Sequence, residues 1–432
     1  MLRDDHIQEE ADRHHGPGGA TRAFAQSLHL LGTRRFGTFC FASLLSNFGT
    51  WAQNVAEPWL LLTLGASSFL IGLDSFVMSA PVWVLTLVGG LLADRSDRRR
   101  VIATCQSIQM LCPLLLVVLL LTGGVRPWIV IALALVVGVT DALSMPSFTS
   151  IVPSIVERKE IPAALALNAT QFNLSRVLGP ALAGVIMAGV GAVGCFALSW
   201  ASYLPFIWVA LWILPRGKPA ATEEDGPENR RIRAGLRYVM RTPNLRYALL
   251  TVLFTSILCG PLIVFCPVLV KQAFQGDVGG FSAAVSAFGI GGLLGAVALL
   301  GVDPAHDRRR MSSWLAVAYG ATVALVAVNP WFWGLPVLLA LAGLFMTVSN
   351  TSANALLQST SLSAMRGRTV SLYMLAMRGG IAIGSLATGL AVDWLGVRDA
   401  LLIDGAAAIV LQLLVGIAWS RTPAPLPANP QA

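Results

Sequence analysis

Charge is what this chain lacks: Asp, Glu, Lys and Arg make up 12% of 432 residues, against 55% apolar residues. Soluble domains are about one quarter charged. A water-soluble globule is therefore excluded, and the mean hydropathy of +0.70 points to a membrane protein. Histidine is scarce too, with five copies and none inside an apolar run. The His6, His14 and His15 group sits in a polar tail where nothing rigid would orient a metal. No nucleophile-base or metal constellation stands within the apolar runs, so an enzyme is not expected and neither is a cofactor. The six cysteines lie in or beside apolar runs without any Cys-x-x-Cys pair. Cys105 and Cys112, like Cys259 and Cys266, stand seven apart on one helix face. That is too far for a disulfide, and they read as small buried side chains. No Gly-x-x-x-x-Gly-Lys-[Ser/Thr] run occurs, and Gly289, Gly292 and Gly295 stand three apart inside an apolar helix. A phosphate-loop ATPase is excluded, so transport work would draw on a gradient. Residues 1 to 33 are polar and mixed in charge, so no cleavable signal peptide is expected.

What is present is a series of long apolar runs. A bilayer core about 30 Å thick needs about 20 apolar residues in a helix. Twelve runs qualify, with cores near 37–64, 69–92, 101–121, 128–152, 163–188, 195–214, 247–270, 281–301, 313–328, 332–356, 370–395 and 400–419. The alternating strands of a membrane barrel are absent, so the fold class is all-α, integral to the membrane. The connections sort by charge. One side carries Arg34, Arg35, the knot from Asp94 to Arg100, Arg158, Lys159, the run from Arg216 to Arg246, Arg308 to Arg310, Arg366, Arg368 and Arg421. The other carries only Arg126, Lys271 and Arg398. The positive-inside rule makes the first side cytoplasmic and puts both termini there. Loops facing anionic lipid account for the net charge of +8, so a nucleic-acid partner is not expected. Phe24, Leu28 and Leu31 fall at helical spacing beside Arg22 and Arg34, which predicts a short helix on the inner surface after a disordered stretch 1–20.

The chain repeats itself. Asp97-Arg98-Arg99-Arg100 returns as Asp307-Arg308-Arg309-Arg310, each after a Leu-Leu pair, and Gly179 to Gly184 is echoed by Gly384 to Gly389. Offsets near 205 to 210 residues give two bundles of six spans. The expected organisation is a tail 1–33, a first bundle 34–214, a central loop 215–244, a second bundle 245–421 and a tail 422–432.

Gly90, Asp94, Arg95, Arg98 and Arg99 stand in register with Gly-x-x-x-Asp-Arg-x-Gly-Arg-Arg, and Asp97 takes the place of the second glycine. Here the sequence resembles the major facilitator superfamily. Arg176-Val-Leu-Gly179-Pro180-Ala-Leu-Ala183-Gly184 is similar to the Gly-Pro-x-x-Gly-Gly motif of that family's exporters. The runs 161–168 and 234–243, with Arg366-Gly-Arg368, resemble the branch of siderophore and macrolide exporters. The resemblance covers about residues 34 to 420 and implies a monomeric transporter with a central cavity lined by spans 1, 4, 7 and 10. It also implies that Asp94, with Arg98 and Arg99, latches the two bundles at the cytoplasmic seam. A solvated topology anchor is the alternative, and it is preferred for Arg308 to Arg310.

Polar residues are costly in lipid, so their faces mark what meets water or another helix. Ser43, Asn47, Thr50, Asn54 and Glu57 recur every three or four residues in span 1, as do Thr347, Asn350, Asn354 and Gln358 in span 10. Span 4 offers Asp141 and Ser144, and span 7 offers Thr251 and Thr255. Cavity lining by Asn47, Trp51, Asn54, Ser144, Thr255, Asn350 and Asn354 is expected, with helix-to-helix hydrogen bonding as the alternative. Buried charge falls at Glu57, Asp141, Arg176 and Arg378, while Asp74, Asp393 and Asp404 are expected to meet water near the outer surface. Glu57 and Asp141 are the expected proton carriers, and an Asp141 to Arg176 pair is the alternative. The expected protein is a proton-coupled exporter of amphiphilic small molecules in the cell membrane. A lysophospholipid or sugar-like metabolite transporter is the alternative, and a non-transporting sensor a lesser one.

Overall fold

The structure, a computed structural model, describes residues 29–157, 160–214, 228–302, 307–362 and 365–422. Its regular elements are helices. The first half holds α1 (Phe36–Thr63), α2 (Ser68–Ser79), α3 (Pro81–Arg95), α4 (Arg98–Thr122), α5 (Pro127–Ile151) and α6 (Ile161–Trp212). The second begins with α7 (Glu228–Arg241) and α8 (Pro243–Leu258), then α9 (Val278–Leu300) and α10 (Arg308–Val328). It ends with α11 (Gly334–Thr360), α12 (Arg366–Leu395) and α13 (Val397–Ser420). The predicted surface helix around Phe24 falls mostly outside the described residues; residues 29–32 are helical.

Local chemistry explains the breaks. Pro81 lacks an N–H, so α2 and α3 form one span with a joint at Ala80. Pro261 and Pro267 divide the chain after α8 into two short turns that run into a π-helical turn at Leu269–Ala273. The 52 residues of α6 are not one rod. Gly191 takes φ 75°, where a side chain would be strained, and the chain reverses there. Cys195 Sγ donates to Ala183 O over 3.5 Å, whereas twelve residues of straight helix would separate them by about 18 Å. α6 is thus a hairpin of two arms, matching predicted spans 5 and 6. Ten helical stretches among the described residues are long and apolar enough to cross a bilayer. α1 and the first arm of α6 lie outside that set and coincide with the other two predicted runs, 37–64 and 163–188.

The apolar core divides by depth. Away from the arginine-bearing face, one buried cluster runs through both halves, joining Val55, Leu61 and Phe196 to Phe265, Val326 and Leu401. Nearer the arginines the core splits in two. Phe36, Phe39, Ile102 and Phe206 belong to the first half, and Val239, Leu249, Tyr373 and Trp419 to the second. α7, which lies in the polar stretch predicted as a loop, supplies Val239 to the latter cluster.

The repeated Asp-Arg-Arg-Arg run does the same work twice. Asp97 caps α4 by accepting the Arg99 N–H at 3.1 Å, and Asp307 caps α10 by accepting the Arg309 N–H at 3.0 Å. Arg99 NH1 donates to Leu211 O at the end of α6 (2.6 Å), and Arg309 NH1 to Thr422 O just past α13 (3.2 Å). The Arg309 guanidinium also holds the Asp307 carboxyl below the usual carboxylate range. In this structure Arg99 clamps the last turn of its own bundle, where the α6 carbonyls lack helical partners. One expectation is corrected: Arg309 is not merely a solvated anchor but makes the equivalent clamp in the second half. Asp97 in place of the motif glycine is explained by the cap. Arg99→Ala should lower unfolding stability in detergent by about 1.5–3 kcal/mol, the range for a charged hydrogen bond. Arg100→Ala, whose side chain is 78% exposed, should be silent in the same melting assay. Indistinguishable midpoints for the two would remove the clamp.

Candidate functional site

The polar stripe of α1 faces a cavity of about 770 Å³, a volume suited to a small-molecule ligand, walled mostly by the first half and closed on one side by Arg378 and Ile381 of α12. It extends from Phe39, Val152 and Leu165 near the arginine-bearing face to Asn54 and Val137 at mid-depth. Carboxamides dominate its polar wall. Asn47 Nδ2 donates to Gln171 Oε1 (3.2 Å), Gln171 Nε2 to Asn168 Oδ1 (3.3 Å), and Gln106 Nε2 to Gln109 Oε1 (2.8 Å). Trp51, Phe148, Phe172 and Phe206 add aromatic surface. Trp51 lies so close to Gly179 that a Cβ at 179 would collide with its side chain, so this glycine of the exporter-like motif makes room for a cavity wall. Gly184 does the same for Ser282 of α9, across the halves.

Among the described residues, one ion pair lines the cavity. Arg378 NH1 of α12 donates to Asp141 Oδ2 of α5 at 2.6 Å, with the side chains 35% and 41% exposed. The structure thus gives Asp141 a partner in the other half; the alternative pair with Arg176 rests on a side chain outside the described residues. The side chains of Arg176, Pro180, Gly90, Asp94 and Arg95 lie outside the described residues; Arg98 is half-buried.

Glu57 sits behind the cavity wall, 3% exposed, accepting Gln53 Nε2 at 3.3 Å through Oε2. Gln53 Oε1 in turn accepts Ser199 Oγ at 2.9 Å. Glu57 Oε1 and Asp74 Oδ1 are buried oxygens with no hydrogen-bond partner among the described residues. Asp74, predicted to meet water, is 6% exposed because α2 packs against α12.

Of the other predicted lining residues, Ser144 is fully buried and donates to Asp141 O (3.3 Å). Thr255 donates to carbonyls of its own helix, and Thr251 O accepts Gln412 Nε2 of α13 at 3.0 Å. The α8 stripe is therefore a helix-packing face. Asn350 and Asn354 do not line this cavity, and Asn354 Oδ1 accepts Gln358 Nε2 (3.2 Å). Gln106 with Gln109, and Asn168 with Gln171, were missed, although their spacing of three residues is the same signal that marked α1.

The face away from the arginines is shut. Asp393, near the end of α12, accepts the N–H of Ser68 at 2.8 Å and of Phe69 at 3.0 Å, the first two residues of α2. Lys271 Nζ donates to Leu62 O in the last turn of α1 at 3.4 Å. A Cβ on Gly72 would meet Ser385 O, and one on Gly389 would meet Ser68 O, so the helices touch backbone to backbone. Asp404 is also engaged, accepting Thr388 Oγ1 at 2.7 Å. The expectation that Asp393 and Asp404 only meet water is thereby corrected: Asp393 faces an exposed helix start, and Asp404 a neighbouring hydroxyl.

This architecture agrees with known proteins. The chain is 25% identical over 380 residues to the staphyloferrin A transporter of Staphylococcus aureus, spanning 87% of this chain and 94% of that one. It is 26% identical over 394 residues to the multidrug efflux pump Tap of Mycolicibacterium fortuitum, spanning 87% and 95%. In fold it matches a bacterial homologue of the human lysosomal transporter Spinster with a TM-score of 0.70 and 13% identity, covering 92% of this chain and 99% of that chain. A family model described as transmembrane secretion effector matches residues 25–426, so the chain belongs to that family, an exporter branch of the major facilitator superfamily.

Proposed function

We propose that this secondary transporter exports amphiphilic small molecules in exchange for protons. Its two bundles, 34–214 and 245–421 joined through 215–244, would rock about the central cavity. The observation that carries the reading is the divided core: one apolar cluster through both halves on the closed face, two separate clusters on the arginine-bearing face. With the arginines cytoplasmic, this is an inward-facing state, and both termini are cytoplasmic. An aromatic and carboxamide wall suits a ligand with an apolar body and many hydrogen-bonding groups. The same carboxamides support a sugar-like metabolite as the second reading. Glu57 is the proton carrier, buried beside the cavity wall with one oxygen unpartnered. In the converse state Asp94, at the end of α3, takes the start of α12 on the cytoplasmic face, as Asp393 takes the start of α2 on the other.

Uptake of candidate amphiphiles into energised inverted vesicles, with and without an uncoupler, tests the reading. Uptake that persists undiminished with the uncoupler would refute proton drive. Glu57→Gln keeps the shape and loses the titrating group, so it should abolish the response to an imposed pH gradient while the unfolding midpoint stays close to wild type. A full response would exclude Glu57. Asp141→Asn should change stability by no more than about 1 kcal/mol, because the pair with Arg378 is half solvated, yet slow uptake strongly. If stability and uptake fell together, the pair would be structural. Asp393→Ala should open the far face. With a cysteine in place of Asn54, an impermeant thiol reagent applied from that face should react about 5- to 30-fold faster, as expected for losing about 1 to 2 kcal/mol. An unchanged labelling rate would show that Asp393 does not hold this face shut.

A further inference from the structure

α10 and α13 part near the arginine-bearing face, on the outside of the second half, and leave a groove of about 280 Å³ remote from the central cavity. Its two ends differ in chemistry. At the helix ends stand Arg309 and Arg310; along the walls run Trp314, Leu413 and Ile417, 66%, 37% and 51% exposed. Gly416 keeps the groove wide, since a Cβ there would only touch the Ser313 side chain at 3.5 Å. The acid in the groove is already engaged. Asp307 accepts Arg309 Nε and NH2, each at 3.0 Å, and the same arginine holds Thr422 O. Arg310 pairs with the same carboxylate more loosely, Nε to Asp307 Oδ2 at 3.8 Å, with its side chain 82% exposed, and Arg308 and Arg421 add charge of the same sign at the same helix ends.

We infer that this groove binds one anionic phospholipid of the leaflet at the arginine-bearing face. Arg310 meets the phosphate, and one acyl chain lies along Trp314, Leu413 and Ile417. Charge complementarity selects the head, because basic residues at this depth attract anionic lipid. The apolar walls select a lipid over a free phosphate. Trp314 fits the site, being a residue type that favours the boundary between head groups and chains. A lipid seated here would bridge α10 and α13 just where Arg309 clamps them.

The test is native mass spectrometry of the full chain in detergent, with phosphatidylglycerol or phosphatidylcholine added. Wild type should retain one phosphatidylglycerol in preference to phosphatidylcholine. Arg310→Gln should weaken that retention about five-fold, the effect of one basic residue near an anionic surface. Arg100→Gln, the repeat's equivalent with a side chain 78% exposed, removes the same charge elsewhere and should leave retention unchanged. Gly416→Leu fills the groove and should reduce retention with every arginine in place; if it fails to fold, the two arginine variants decide. Equal retention of both lipids, equal loss from Arg310→Gln and Arg100→Gln, or displacement of the lipid by glycerol phosphate at equal concentration would each overturn the proposal.

Discussion

Helix ends govern this structure. Each helix leaves its first N–H and last C=O groups without intrahelical partners, and in hydrocarbon an unsatisfied backbone group costs several kcal/mol. The chain has few charges, and several of them answer that need in a neighbouring helix. Arg99 closes the end of the second arm of α6, Arg309 the end of α13, and Arg398 NH1 the end of α10, through Ala327 O at 3.0 Å and Asn329 O at 2.7 Å. Cations meet carbonyls at helix C-termini and the Asp393 carboxylate meets N–H groups at a helix N-terminus. Every one of these contacts has the sign that the helix dipole favours.

The same chemistry serves two mechanical purposes, and the location of the partner decides which. Arg99, Arg309 and Arg398 join helices of one half, where they reinforce faces already buried in apolar clusters. They make each bundle rigid. Asp393 and Lys271 instead join α12 to α2 and the turn after α8 to α1, across the boundary between halves. They hold a joint. The glycine contacts at Gly72 and Gly389 mark that boundary as well, since backbones can meet and part there without side chains interlocking, and Gly184 makes room there for the Ser282 side chain.

Much of this was legible in the sequence and some was not, for physical reasons. The spans followed from apolar length, and the α1 stripe from spacing, because both are properties of a single helix. The repeated Asp-Arg-Arg-Arg run announced a shared role but not which carbonyl the arginine meets, since a backbone acceptor leaves no residue signature. Asp393 was misjudged for that reason. The alternative pair of Asp141 with Arg176 rested on their similar depth, whereas Arg378, which Asp141 meets, arrives from 237 residues further along the chain. Thr251 and Thr255 looked like a cavity stripe because Gln412, which satisfies the α8 backbone, belongs to a helix 161 residues away. Long-range partners decide whether a polar face means water or packing, and spacing within one helix carries no information about them.

The size of the joint matters more than its presence. A charge at a helix end contributes about 0.3 to 2 kcal/mol depending on burial. Asp393 and Lys271 together therefore hold the closed face by a few kcal/mol at most. Asp141 and Arg378 add little, because both side chains are more than one third exposed and water screens the pair. Two conformations that interconvert during function differ by a few kcal/mol, so contacts of this size can be exchanged for an equivalent set on the opposite face. A continuous apolar interface on both faces would exceed that range. The split core on the arginine-bearing face leaves that side of the boundary without an apolar seam, so the contacts that join the halves are concentrated on the opposite face.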